Sequence, residues 1–227
     1  MSRQSSQKQS LENRLKTVTS RMEKSHNRYA PKLRTPELIV VSKTFSAEDI
    51  TPVLDLGQRV FGENRVQEAA GKWPALKEKY EGVQLHLIGP LQTNKVKDAV
   101  KLFDIIQTLD REKLAASLSR ELKKRGKKLP VFVQVNIGGE AQKSGVAISR
   151  AVTFVNTCRD QYGLDVVGLM CIPPAGQAPG PYFAQLYDLA QKADVELLSM
   201  GMSADYDIAI EMGATHVRVG SAIFGAR

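Results

Sequence analysis

The chain has 227 residues, 42% hydrophobic and 25% charged, which is the composition of an ordinary globular protein long enough for one large domain. No run approaches the roughly 18 apolar residues of a membrane span, and the polar N-terminus lacks the apolar core of a secretory signal. Cys158 and Cys171 have neither a CxxC spacing nor a neighbouring His, which argues against a disulfide framework or a zinc site. We therefore expect a cytoplasmic protein without a metal centre.

The net charge of +8 is concentrated at the N-terminus. Residues 1–34 hold nine Lys or Arg and two Glu, a net +7, which leaves +1 for the rest of the chain. A second basic cluster, KKRGKK at 123–128, ends a predicted helix, where cations suit the helix C-terminus. A basic segment can bind nucleic acid, but no RNP, KH or zinc-finger pattern accompanies this one. We expect a solvated helix face and no nucleic-acid partner, with binding through residues 1–34 kept as an alternative.

The first predicted element is an amphipathic helix. Ser10 is a candidate N-cap, and one apolar stripe follows it at helical spacing, formed by Leu11, Leu15, Val18 and Met22. Pro31 and Pro36 end the helix. Residues 1–34 are thus predicted to form a polar, basic helix that packs on or near a domain formed by residues 35–227.

From residue 37 onwards, strand-like and helix-like segments alternate. The predicted strands are ELIVV (37–41), RVF (59–61), QLHLI (84–88), FDIIQ (103–107), VFVQVN (131–136), VVGLM (166–170), VELLS (195–199) and HVRVG (216–220). Helices are predicted near 46–56, 65–80, 93–101, 111–125, 148–161, 182–193 and 204–212. Such alternation implies a parallel sheet, and eight units of this length favour a TIM-type (β/α)₈ barrel. A doubly wound sheet is the alternative.

Two loops predict a phosphate site at the C-terminal ends of the barrel strands. In many such barrels, phosphate lies between the loops after the seventh and eighth strands. Here SMGMSADYD supplies Gly201 and Ser203, and VRVGSAIFG supplies Gly220 and Ser221. Backbone N–H groups and hydroxyls in these loops could hold an anion. Alternatively, Ser203 only caps a helix and Gly220 only makes a tight turn.

Lys43 follows the first predicted strand directly. In a closed barrel the eighth strand lies beside the first, so Lys43 is expected next to this phosphate site. A lysine amine can attack an aldehyde to form a Schiff base. Pyridoxal 5′-phosphate (PLP) is a phosphorylated aldehyde, so these loops could hold its phosphate while Lys43 bonds to its aldehyde carbon. The alternative is an exposed lysine at the start of a loop.

These residues belong to motifs that resemble a known family. VVSKTF, FGENRVQE, HLIGPLQTNK, SMGMSADYDIAI and VRVGSAIFGAR are similar to the pyridoxal-phosphate homeostasis proteins, which are related to the N-terminal barrel of alanine racemase. The resemblance runs from about Leu38 to the C-terminus. It implies that Lys43 carries PLP and that Asn64 lies near the phenolic oxygen of the cofactor.

The resemblance also assigns the remaining cofactor contacts. The SMGMS loop contributes Ser199, Gly201, Met202 and Ser203, with Ser203 the best phosphate ligand, and Gly220 and Ser221 hold the phosphate from the other side. Arg218 would face the pyridine nitrogen. Because arginine can only donate hydrogen bonds, it would keep that nitrogen unprotonated and make the ring a poorer electron sink. The alternative for Arg218 is a salt bridge to a helix.

Three other residues could bear on the site. His86 shares a strand face with Gln84 and Ile88, and we favour an interior histidine over a cofactor contact. Lys143 follows the fifth predicted strand and is expected to be a solvated loop lysine, although it could reach the barrel mouth. Cys171 ends the sixth predicted strand without a matching His base and is expected to be a small core residue.

The resemblance implies a binding protein more than an enzyme. Alanine racemases add a second domain that supplies a catalytic tyrosine, whereas the predicted barrel here uses the chain up to Arg227, and all six tyrosines are predicted in or beside helices. A two-base racemase needs two positioned groups, and we find one. We therefore expect a monomeric protein for intracellular PLP homeostasis, which buffers PLP or delivers it to PLP-dependent apoenzymes. A weak racemase-type enzyme, a Schiff-base aldolase and a nucleic-acid-binding module are the alternatives.

Overall fold

Eight parallel strands form a closed barrel in the computed structural model, which describes residues 3–225. The strands are β1 (Glu37–Val41), β2 (Val60–Glu63), β3 (Gln84–Leu87), β4 (Ile105–Leu109), β5 (Val131–Asn136), β6 (Val146–Ala147), β7 (Val166–Cys171), β8 (Leu197–Met202) and β9 (His216–Val219). The barrel runs from β1 to β5, continues through β7, β8 and β9, and closes where β9 pairs with β1. The two-residue β6 pairs only with the end of β5. The predicted TIM-type barrel is confirmed, and a doubly wound sheet is excluded.

Helices connect the strands and cover the barrel. They are α1 (Arg3–Tyr29), α2 (Ala47–Asp55), α3 (Val66–Ala70), α4 (Trp73–Lys79), α5 (Val96–Leu102), α6 (Glu112–Arg125), α7 (Ala151–Asp160), α8 (Gly180–Lys192), α9 (Tyr206–Glu211) and α10 (Ser221–Phe224), with 3₁₀ turns at Thr93–Lys95 and Ile148–Arg150. Within the described part of the chain, no helix has the length and apolar character needed to cross a membrane. The apolar faces of the helices pack against the outer faces of the strands to form one continuous core.

Several element boundaries differ from those predicted. Helix α1 begins at Arg3, so Ser10 lies inside it and is no N-cap. The helix predicted over 65–80 is interrupted at Gly71 and Lys72, because Pro74 is accommodated in the first turn of a new helix, where its missing N–H costs nothing. Strand β4 begins at Ile105 because Phe103 ends helix α5 and is buried there.

Helix α1 packs against the last two helices of the barrel. The apolar stripe from Leu11 to Met22 is buried and joins the core. Arg14 donates from Nε to the carbonyl oxygen of Ile223 in α10 at 2.5 Å, and Arg21 forms an ion pair with Asp207 in α9. The N-terminal helix therefore braces the two short helices that follow the loops after β8 and β9.

Candidate functional site

A cavity of about 460 Å³ opens at the C-terminal ends of the barrel strands. This volume is typical of a small-molecule site. Of the nine residues predicted to contact a cofactor, seven line this cavity: Lys43, Asn64, Met202, Ser203, Arg218, Gly220 and Ser221. Sequence reasoning missed the apolar part of the wall, formed by Val41, Phe45, Ile88 and Ile172. These four positions read in the sequence as ordinary core residues near strand ends.

The cavity wall is strongly one-sided in charge. Lys43 and Arg218 contribute two cations, and among the described residues no Asp or Glu lines the wall. Positive charge without a lining counter-ion makes an anion the favoured occupant, since a cavity with low-dielectric walls focuses the field of its charged groups.

The loops after β8 and β9 meet at one end of the cavity. The N–H of Gly220 donates to Ser203 Oγ at 3.3 Å, which ties the two loops together. Within residues 3–225, the N–H groups of Ser203, Ala204 and Ser221 have no hydrogen-bond acceptor in the protein. A side chain at position 220 would place its Cβ 3.1 Å from the carbonyl oxygen of Val41, so glycine permits this close approach. The arrangement offers several convergent N–H donors to an anion.

Lys43 lies in a sharp turn between β1 and α2. Its neighbour Thr44 has a left-handed backbone with φ of 68°, which is uncommon for a β-branched residue. The Lys43 side chain is half-buried in the cavity wall, and in the part of the chain that the structure describes its ammonium makes no hydrogen bond or ion pair. Lys43 therefore contributes to the cavity wall an amine that no other described residue binds.

A buried polar cluster that sequence reasoning missed lies beneath this turn. Lys72, Glu63 and Trp73 are 8%, 0% and 0% exposed. Glu63 Oε1 forms an ion pair with Lys72 Nζ at 2.9 Å and accepts a hydrogen bond from Trp73 Nε1 at 3.0 Å. Glu63 also accepts from the Ser42 hydroxyl at 2.6 Å. In the sequence Lys72 reads as a surface residue of the helix predicted over 65–80 and Glu63 as a polar residue after a strand, so only the fold could bring them together.

Arg218 projects from β9 into the base of the cavity and is 4% exposed. It donates from Nη1 to Ser199 Oγ at 2.7 Å and from Nη2 to the carbonyl oxygen of Cys171 at 2.9 Å. Desolvation by burial lowers the pKa of Arg218. No carboxylate forms an ion pair with it within residues 3–225, so the alternative of a salt bridge to a helix is wrong.

Two predicted contact residues, Ser199 and Gly201, do not line the cavity. Ser199 is fully buried behind Arg218 and donates to Gln107 Oε1 at 2.6 Å. Gly201 has φ of 87° and packs so closely on α9 that a Cβ would lie 2.5 Å from Ala209 Cβ. Ser199 can therefore act on a ligand only through Arg218, and Gly201 only by shaping its loop.

His86 is an interior histidine, as favoured from the sequence. Its Nδ1 lies 2.9 Å from Gln107 Nε2, and its buried Nε2 has no partner among the described residues. Desolvation lowers the pKa of His86 to about 3, with a further contribution from His216. His86 is thus a neutral group beneath the cavity.

Lys143 and Cys171 also lie outside the cavity wall. Lys143 is half-buried, pairs with Glu140 at 2.5 Å and donates to the carbonyl oxygen of Pro173 at 3.1 Å, so it is more fixed than a solvated loop lysine. Cys171 is a core residue, as expected, and burial raises the pKa of its thiol to about 12.

Asn64 follows β2 and lines the cavity. Its backbone packs against Gly89, where a Cβ would lie 2.3 Å from the carbonyl oxygen of Asn64. None of the six tyrosines, all of which lie in the described range, lines the cavity. Residues 3–225 also contain no cluster of three His, Cys, Asp or Glu side chains suited to a metal ion.

Comparisons with known proteins agree with this geometry. The family model described as "Alanine racemase, N-terminal domain" matches residues 14–227. The pyridoxal phosphate homeostasis protein of Vibrio cholerae is 38% identical over 228 residues, 96% of this chain and 97% of that protein. The chain belongs to the pyridoxal phosphate homeostasis protein family. The family predicted from the sequence motifs is confirmed.

Other members of this family have similar length and structure. The pyridoxal phosphate homeostasis protein of Aquifex aeolicus is 38% identical over 94% of this chain and 97% of its own. The structure of PipY from Synechococcus elongatus PCC7942 with PLP bound has a TM-score of 0.80 and 32% identity, over 95% of this chain and all of PipY. The barrel architecture is therefore that of a family member determined with PLP.

Proposed function

We propose that this chain binds PLP in the cavity beside Lys43 and serves in intracellular PLP homeostasis, by buffering or delivery, without a defined catalytic turnover. The observation that carries the proposal is the composition of the cavity wall. It combines two cations, no lining carboxylate among the described residues, and N–H groups without acceptors next to a lysine amine. The names of the relatives and the PLP-bound PipY structure support the same cofactor.

Each end of the cavity suits one part of PLP. Ser203, Gly220 and Ser221 would hold the phosphate through hydroxyl and N–H groups, with Met202 covering it. Arg218 would donate to the pyridine nitrogen, and Asn64 would lie near the phenolic oxygen. Lys43 Nζ would bond covalently to the aldehyde carbon, with loss of water.

Holding and releasing PLP suits this site better than turnover. PLP supplies an electron sink in catalysis, and that sink is strongest when the ring nitrogen is protonated. Arg218 has no proton to lose at neutral pH and can only donate to the ring nitrogen, which disfavours its protonation. Racemisation also needs a second general base, and none of the tyrosines contributes to the described cavity wall.

We further propose that the protein works as a monomer in the cytoplasm and passes PLP to PLP-dependent apoenzymes. The half-open position of Lys43 at the barrel mouth supports exchange with solvent or a partner. Binding of nucleic acid by the basic N-terminal segment stays the less favoured alternative, since part of its charge is used against α9 and α10.

A visible absorption spectrum with and without borohydride tests the proposal. After incubation with PLP and removal of the unbound PLP, the purified protein should keep an absorption band at longer wavelength than that of its own aromatic residues. Reduction followed by peptide mass mapping should place a phosphopyridoxyl group on Lys43. Lys43→Ala should lose the adduct, while Lys97→Ala, at an exposed position on α5, should keep it. A colourless, unmodified wild-type protein would overturn the proposal.

A further inference from the structure

The turn that carries Lys43 is held from beneath by one buried lysine. Lys72 Nζ donates to the carbonyl oxygen of Ser42 at 2.9 Å and to that of Phe45 at 2.9 Å. These two carbonyls flank Lys43 and Thr44 on either side. One ammonium group therefore spans the whole turn, and Lys72 is itself only 8% exposed.

Two carboxylates hold Lys72 in this position. Glu63, at the end of β2, lies 2.9 Å from Lys72 Nζ and also accepts from the Ser42 hydroxyl. Glu68, in α3, lies 3.0 Å from Lys72 Nζ and accepts from the N–H of Thr44. Each of the three charged groups thus contacts both another member of the cluster and the turn itself.

The turn needs such support because its backbone is unfavourable. Thr44 has φ of 68°, and a β-branched residue in the left-handed region costs on the order of 1–3 kcal/mol. A strained conformation of this kind persists only where surrounding contacts determine it. Here those contacts are the hydrogen bonds to Lys72 and Glu68.

The charges of Glu63, Glu68 and Lys72 are not needed for the stability of the fold. A buried ion pair is often no more stable than well-packed apolar residues of the same size, because both charges lose their hydration. Glu63 additionally has one carboxylate oxygen, Oε2, buried without a partner among the described residues. These buried charges therefore serve to fix the backbone of the turn.

We propose that Lys72 is a positioning residue for Lys43: with Glu63 and Glu68 it fixes the turn so that Lys43 Nζ faces the cavity and can bond to the aldehyde of PLP. This inference rests on the function proposed above. The residues that we propose contact the phosphate and the ring lie on other elements, namely the ends of β8 and β9 and the loops after β2, β8 and β9. Loss of Lys72 should therefore affect the covalent bond and leave non-covalent binding intact.

Two ligands separate these effects. PLP has the aldehyde that Lys43 needs, whereas pyridoxine 5′-phosphate has the same ring and phosphate with an alcohol in its place. The variant is the double substitution Glu63→Gln with Lys72→Met, which removes the buried charges together and avoids an uncompensated Glu63. Lys72→Met alone is the second variant. Lys77→Met is the matched control, because Lys77 also bonds a carboxylate, Asp104, and a carbonyl, Leu102, but lies outside the cavity wall.

The double variant should form the borohydride-trapped Lys43 adduct at least about tenfold more slowly than wild type, since misplacing a reacting group by about 1 Å can cost up to about 100-fold. Its dissociation constant for pyridoxine 5′-phosphate should stay within about twofold of wild type, which a general loss of structure would not allow. Lys77→Met should match wild type with both ligands.

The results separate this inference from the proposed function. Unchanged adduct formation in the double variant would overturn the positioning role, and so would an equal loss of affinity for both ligands. If neither variant folds, the single variant Glu63→Gln is compared with wild type instead. Glu63→Gln should slow formation of the Lys43 adduct with PLP and leave the affinity for pyridoxine 5′-phosphate unchanged. A wild-type protein that binds neither ligand would instead overturn the proposed function.

Discussion

Replacing Arg218 with methionine should weaken PLP binding strongly and change the stability of the protein that lacks PLP only a little. Arg218 is a buried cation whose hydrogen bonds go to the hydroxyl of Ser199 and the carbonyl oxygen of Cys171, and no ion pair balances it within residues 3–225. Methionine has a similar length and needs no partner. The substitution therefore removes an unbalanced buried charge together with the contact that we propose Arg218 makes with the pyridine nitrogen.

Opposing terms set the size of the effect on stability. Two hydrogen bonds from a charged donor contribute about 1.5–3 kcal/mol each. Removing the desolvation penalty of one buried ion returns several kcal/mol. We therefore expect a change in unfolding free energy within about 2 kcal/mol of zero, or a melting-temperature shift below about 8 °C for a chain of this size. Losing one charge-assisted bond to the ligand should weaken binding about 10- to 150-fold.

Thermal unfolding without ligand and absorption titration with PLP measure the two effects. Arg159→Met is the matched control, because Arg159 donates to the carbonyl oxygens of Ala193 at 2.9 Å and Asp194 at 2.7 Å and lies outside the cavity wall. It should lower the melting temperature and leave PLP affinity unchanged. If Arg218→Met behaves in the same way as Arg159→Met, Arg218 is a structural residue and the reasoning is wrong.

Two further predictions concern residues behind the cavity wall. Burial lowers the pKa of His86 to about 3, so between pH 3 and 6.5 the unfolded chain binds more protons than the folded protein. The free energy of unfolding therefore decreases as the pH is lowered from 6.5 to 3. Urea unfolding at pH 7 and 5 should show a loss about 2 kcal/mol larger in wild type than in His86→Asn, and equal losses would refute the assignment. Gly89→Ala should destabilise the protein by about 1–3 kcal/mol, by thermal unfolding, and weaken PLP binding, because the new Cβ would lie 2.3 Å from the carbonyl oxygen of Asn64. Gly71→Ala, where the nearest atom to a Cβ is 3.6 Å away, should do neither.

The barrel and its phosphate loops could be predicted because their signals are local. Strands β1 and β5 have the predicted bounds, since each is an apolar, β-branched run that begins directly after a proline, Pro36 or Pro130. The loops after β8 and β9 have Gly and Ser residues directly after or at the end of a strand. A barrel of parallel strands places all of these strand ends at the same face of the barrel. Lys43 could be predicted as a site residue for the same reason, because it lies just after β1.

The supporting contacts could not be predicted, because they depend on how distant elements pack. Lys72 meets Ser42 and Phe45 only because the break between α3 and α4 lies under the β1–α2 turn. The pairing of β8 with β9 changes register between Ser199 and Met202, so simple alternation does not show which residues of β8 face the cavity. The resemblance of the SMGMS motif assigned Ser199 to the cofactor, whereas in the structure it contacts Arg218.

The directions of the hydrogen bonds inside the barrel follow from Arg218. A guanidinium can only donate, so Ser199 Oγ must accept from it and must send its own proton to Gln107 Oε1. The amide NH₂ of Gln107 then faces His86 Nδ1, which has to be an unprotonated acceptor, in agreement with the lowered pKa of His86. Protonation of His86 would put two donors face to face and disturb the support of Arg218. The neutral side chains of Ser199, Gln107 and His86 thus form a chain of hydrogen bonds with one defined direction, which holds the guanidinium in place before a ligand arrives. Ligand binding then need not order Arg218, which reduces the entropic cost of binding.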